Sequence, residues 1–224
     1  MDFFLNKDMV LNKTLSDDAI LAYIGLRGIM LQDTKVECIS LNRIAYTLVD
    51  DLFLSLDGKH LRAMINHLDM GLHELDVHEI IKIKKHVDDN EYIIDLYNIT
   101  LNTGKDFFIK ITQEEVKKIL GSSYRIDLTT KLMRYFIYML SYLNHSKALG
   151  EYQGLVGEVY FKTIYSSIGV SRRSATRYNN LLTDQKLIYI YRSKNLSTAN
   201  IYSRYKDMDK CIEYGRKKEF IKWL

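Results

Sequence analysis

The sequence predicts an α+β chain, mostly helical, in which one small unit of helices closed by a two-stranded hairpin occurs twice. Three observations predict it. Between Phe161 and Tyr205 helical periodicity gives way to a strand pair in a fixed order. The first hundred residues run through the same order of elements. The 224 residues include no proline and 11 glycines, so neither half reads as linker or disordered coil.

The second unit has the sharper signals. Ile164, Tyr165 and Ile168 mark a short helix, and Gly169 follows where the chain can turn tightly. Ser171 is a good N-cap for a helix from about Arg172 to Thr183. Ala175, Tyr178 and Leu182 share one face of it, three and four apart. The opposite face carries Arg172, Arg173, Thr176, Arg177 and Asn180. Leu187 to Tyr191 is a β-branched and aromatic run, Ser193 to Asn200 is polar, and Ile201 to Tyr205 is a second short strand, which together read as a hairpin.

Upstream of it, Ile111 to Leu120 is expected as a connecting helix and Leu128 to Leu143 as a long one. Leu149 to Gly157, with three glycines, is expected as a mobile loop before a strand from Glu158 to Phe161. The last stretch, Met208 to Leu224, places Met208, Cys211, Ile212, Phe220, Trp223 and Leu224 roughly on one helical face. It is expected to pack on the second unit, with a dimer contact as the alternative.

In the first unit Ser16 should cap a long apolar helix from Asp17 to about Leu31, with Asp17 and Asp18 suited to its positive end. Val36 to Ser40 reads as a strand. Leu41 to Val49 reads as a helix with Leu41, Ile44 and Leu48 on one side. A third helix should run from about Lys59 to Met70, with Leu61, Ile65 and Leu68 inward and Gly71 near its end. Ile80 to His86 and Glu91 to Ile99 flank Asp88-Asp89-Asn90 as a hairpin. Asp2-Phe3-Phe4 recurs as Asp106-Phe107-Phe108, and Leu41, Ile44 and Leu48 match Phe161, Ile164 and Ile168 at a constant offset of 120. Residues 100–106 are the expected boundary, which gives domains 1–103 and 104–224.

Charge is unevenly placed. From residue 161 onward fourteen Lys and Arg face five Asp and Glu, a net +9, whereas the preceding 160 residues carry −5. A basic end on a mildly acidic body points to nucleic acid bound mainly at one end. No apolar run approaches the roughly 20 residues that cross a bilayer, so no membrane partner is expected. The N-terminus shows no secretory pattern. Cys38 and Cys211 lack metal-ligand spacing and read as reduced thiols of a cytoplasmic protein.

Catalytic patterns are not met. His73 and His78 are five apart, whereas a helical zinc site needs i and i+4, so they read as surface or packing residues. The glycines of GEYQGLVGE fit neither a phosphate loop nor a dinucleotide fingerprint. No His-x-His pair occurs. Tyr189, Tyr191, Tyr202 and Tyr205 have no Arg and His constellation to activate them. No enzyme, metal or cofactor is expected.

Two helices, a tight turn and a hairpin behind the second helix make a winged helix-turn-helix, so the expected architecture is two such domains in tandem. A buried face set against an arginine-rich outer face is what major-groove docking requires. Base reading falls to Arg173, Thr176 and Arg177, and phosphate contact to Arg172, within a first turn that also holds Ser171 and Ser174. Lys162 and Thr163 start the preceding helix, where an anion is favoured. Arg192, Lys194 and Arg204 belong to the wing. Lys59, Arg62 and Asn66 form a thinner candidate face in the first unit, beside His60 and His67. For that unit a second DNA module competes with a domain for self-association or for a replication partner.

The segments IGVSRRSATRY and LLTDQKLIYIY resemble the turn, recognition helix and strand exit of bacterial winged helices. With the opening FFLNKDMVLNKTLSDDAILAYIGLRGI, the chain is similar to DnaD-like replication proteins of Gram-positive bacteria and to tandem winged-helix initiators of plasmids or phages. That resemblance implies a replication initiator binding double-stranded origin repeats, a homodimer formed through the first domain, and helicase-loading or other replication proteins as partners. A transcriptional repressor occluding a promoter is the alternative, and a protein-interaction module comes third.

Overall fold

A computed structural model describes residues 1–30, 36–50, 56–88, 91–95, 108–122, 124–143, 150–191 and 200–221. The chain is α+β, with small antiparallel sheets among its helices. By packing it divides into Met1–Arg134 and Tyr135–Leu224. The expected boundary at 103–104 lies outside the described residues. The packing division falls later because the strand and helix that follow residue 107 associate with the first unit.

In the first unit, β1 (Asp2–Asn6) pairs antiparallel with β5 (Phe108–Thr112), Phe3 opposite Ile111 and Leu5 opposite Ile109. All four of these side chains are buried. This corrects the expected helix from Ile111, since Phe108 to Ile111 alternates with the period of a strand. The helix α5 (Gln113–Leu120) begins behind a capping box, in which Thr112 and Glu115 each accept from the other's backbone N–H. The buried positions set the two strands 106 residues apart, not the 104 of the Asp-Phe-Phe match, of which Asp106 and Phe107 lie outside the described residues.

After α1 (Lys7–Leu11), α2 (Asp17–Ile29) is buried along nearly its whole length. Such a helix must be enclosed on several sides, and α2 packs against β1, α3 (Leu41–Val49) and α4 (Gly58–Val77). The Ser16 hydroxyl accepts from Ala19 N–H as expected of the cap. Leu41, Ile44 and Leu48 are buried on α3. α4 is twenty residues long and runs through Gly71, a correction to the expected end. A Cβ on Gly71 would lie 2.2 Å from the Asp18 carbonyl oxygen, so the glycine is there to let two backbones meet. Met64, Leu68, Leu72 and Leu75 fill its inner face, while Leu61 and Ile65 are only half-buried.

The hairpin follows as β3 (Lys82–Asp88) and β4 (Glu91–Asp95), with β2 (Val36–Ser40) on the other side of β4. Polar clamps fix the unit. Arg134 donates to the carbonyls of Leu15 and Asn12 at 2.7 Å each. His67 bridges Asp18, at 2.8 Å, and Asp127, at 3.3 Å.

α6 (Ile126–Leu143) carries the chain into the second unit, where buried Tyr135, Phe136, Met139 and Leu143 line its core. A short 3-10 turn (Gly150–Tyr152) and β6 (Val156–Val159) occupy part of the stretch expected as a mobile loop. The strand sits earlier than expected, because Phe161 already opens α7 (Phe161–Ile168). α8 (Arg172–Asp184), β7 (Ile188–Tyr191) and β8 (Asn200–Arg204) follow. The sheet order β6-β8-β7 matches β2-β4-β3, so strand, helix, helix, strand, helix, helix and two strands occur twice in the chain.

α9 (Met208–Ile221) packs on β6, β7 and β8, with Cys211 buried and Met208 and Ile212 half-buried. The Phe220 side chain and residues 222–224 lie outside what is described. Burial pushes the Cys211 thiol up to about 11, so it is unreactive as a thiolate. The helix is also tied by a polar network. Tyr152 donates to Glu213 at 2.7 Å, and Lys217 and Lys210 pair with the same carboxylate at 3.1 and 3.3 Å.

The Tyr152 hydroxyl, then Lys217 and Lys210, hold Glu213 down to about 2 from 4.5. A depressed carboxyl stabilises the fold above its unfolded value and loses that contribution as pH falls toward the folded one. Wild type should therefore exceed Glu213→Gln in urea midpoint above pH 4.5, and the difference should vanish on approach to about pH 2. A pH-independent difference would contradict this role for the carboxylate.

Candidate nucleic-acid interface

The second unit presents α8 as the sequence predicts. Ser171 has extended backbone and its hydroxyl accepts from Ser174 N–H at 3.2 Å. Gly169, at φ 71°, ends α7 in the left-handed region, where a side chain is strained, and this allows the turn into α8. Ala175, Tyr178 and Leu182 are buried as expected. Arg172, Arg173, Thr176, Arg177 and Asn180 are exposed, along with Ser171, while Ser174 is half-buried. Positions 173, 176, 177 and 180 follow the spacing of one helical stripe.

Side chains of this set also make contacts within the protein. The Arg172 guanidinium lies 5.3 Å from the centre of the Phe161 ring, which holds it at the junction of α7 and α8. Thr176 Oγ1 donates to the Arg172 carbonyl at 2.9 Å, yet its oxygen can still accept. Lys162 is exposed and Thr163 half-exposed in the first turn of α7. Arg204, half-buried, closes β8. Arg192 and Lys194 lie outside the described residues.

Asn179 is a residue the sequence reading missed. It is buried beside Tyr178 and accepts from the Tyr135 hydroxyl at 2.8 Å. The Tyr135 and Tyr178 rings meet edge to face at 5.3 Å. Together they fix the rotation of α8 about its axis, hence the direction of its arginines. Asn179→Ala should cost about 1–3 kcal/mol in urea denaturation, because it leaves a buried hydroxyl unpaired. Adding Tyr135→Phe should recover part of that loss, and no recovery would contradict the pairing. Tyr165, on α7 as expected, is 63% exposed, while Ile164 is buried.

In the first unit, α4 carries Lys59, Arg62, Ala63 and Asn66 where α8 carries Arg173, Thr176, Arg177 and Asn180, at a constant offset of 114 counted from the caps Asp57 and Ser171. Lys59, Arg62 and Asn66 are exposed. Both sets hold two cations, but Ala63 stands where α8 has Arg177 and Arg62 where it has Thr176. Lys59 and Asn66 also line an open cavity of about 650 Å³ with Tyr124, Arg125 and Asp127. His73 and His78 are exposed, His73 on α4 and His78 at its C-terminal cap.

Comparison with protein-family models, curated proteins and solved structures finds no match. No helix among the described residues is long and apolar enough to cross a membrane.

Proposed function

We propose that the protein is a non-enzymatic, sequence-specific binder of double-stranded DNA, built from tandem winged helices and docking α8 of its second unit in the major groove. One observation carries the reading. Arg173 and Arg177 stand exposed with Thr176 and Asn180 along one stripe, on a helix whose other side is buried. Arginine donates two bonds to guanine O6 and N7, and Asn does the same for adenine N6 and N7. Arg172 and Lys162 are assigned to phosphates, and Arg204, at the end of β8, to the wing. The net +9 from residue 161 onward supplies the non-specific attraction.

The role proposed is replication initiation at repeated origin sites, in line with the resemblance to tandem winged-helix initiators. Sequencing DNA that co-purifies with the protein tests it. Direct repeats are expected, and an inverted repeat at a promoter would instead make the protein a repressor. Recovery of DNA with no shared sequence would overturn sequence-specific binding itself.

A further inference from the structure

We infer that the cavity beside α4 in the first unit is a binding site for a small phosphorylated ligand with a flat ring, of nucleoside monophosphate size. The cavity is about 650 Å³, within the roughly 300–1,000 Å³ of small-ligand sites. It lies between the first half of α4 and the segment Tyr124–Asp127 that opens α6.

The polar inventory of its walls decides the ligand's chemistry. Both carboxylates are already used. Asp57 caps α4 by accepting from His60 N–H at 2.7 Å. Asp127 meets His67 at 3.3 Å and Arg125 at 2.8 Å. By contrast, Lys59, Asn66 and Tyr124 have no side-chain hydrogen bond or ion pair among the described residues. Arg125 keeps donors beyond the one turned to Asp127. The unspent groups are therefore mainly donors, two of them cationic, and a ligand rich in acceptors complements them. An oxyanion between Lys59 and Arg125 meets that need.

His60 and His67 also line the cavity, and Ala63, Met70 and Ile126 supply its apolar part. Met70, a large side chain left 51% exposed, lines the cavity together with Ala63 and Tyr124. A thioether and an aromatic face suit a planar ring. The Asn66 amide offers one donor and one acceptor to a heterocycle's edge. An isolated phosphate would leave these walls unused.

The test uses the full-length protein, labelled at its methionine methyls, without DNA, so its outcome is independent of duplex binding. Adenosine monophosphate, adenosine and inorganic phosphate are titrated separately while the Met70 methyl is followed. Saturable shifts are expected with the nucleotide, at least about tenfold tighter than with either half. Lys59→Ala and Arg125→Ala should each weaken nucleotide binding about tenfold, while Arg62→Ala, on the same helix but outside the cavity wall, leaves it unchanged. The remaining methionine signals report that each variant is folded. No saturable shift at millimolar nucleotide, or equal binding of phosphate alone, would overturn the assignment. So would a Met70 response to duplex DNA but not to nucleotide, which would make α4 a second groove reader.

Discussion

Gly71→Ala is expected to destabilise the first unit by about 3 kcal/mol or more. Overpacking a core typically costs about 1–3 kcal/mol because side chains can shift to make room. Here the added Cβ meets the Asp18 carbonyl oxygen at 2.2 Å and its carbon at 2.6 Å, so backbone rather than a flexible side chain must move. Separating α2 from α4 would also pull Asp18 from His67 and loosen the helix around which the unit is packed. Against a total of about 5–15 kcal/mol, that loss is large. Urea denaturation followed by circular dichroism measures it, and a change under about 0.5 kcal/mol would contradict the close approach.

Arg173→Ala and Arg177→Ala are expected to remove sequence preference while leaving the fold intact. Both side chains are exposed on α8, whose stability rests on Ala175, Tyr178, Asn179 and Leu182 on the other side. Each bidentate arginine contact with guanine is worth about 1–3 kcal/mol of discrimination, so the pair commands about 30- to 20,000-fold. Arg172→Ala should act differently. Arg172 is proposed for phosphate, so its loss should weaken binding to all duplexes alike and make the salt dependence shallower by about one unit of slope.

Where local chemistry decides the outcome, the sequence was a good guide. Ser16 and Ser171 are caps whose side chains bond the first turn, and Gly169 adopts the left-handed conformation that ends α7. The α8 stripe was legible because its inner and outer residues differ sharply in polarity. What escaped notice depended on tertiary contact. Gly71 looks like a helix end in one dimension and is a helix crossing in three. Asn179 is polar but buried, satisfied by a tyrosine 44 positions away. Ile111 fits a helical pattern together with the residues after it, yet it pairs with Phe3 across a sheet. No local pattern reports these partners. The cavity beside α4 was equally hidden, since Tyr124 and Arg125 reach it from more than fifty residues away.

α8 is proposed to read base sequence. Fluorescence anisotropy of the full-length protein tests this, with a duplex chosen from co-purified DNA and a scrambled duplex of equal length at the same salt. Wild type should prefer the specific duplex. Arg173→Ala combined with Arg177→Ala should bring the ratio of the two affinities close to one, with the affinity for scrambled DNA falling far less. An unchanged ratio in this double variant, with the protein folded, would contradict the claim.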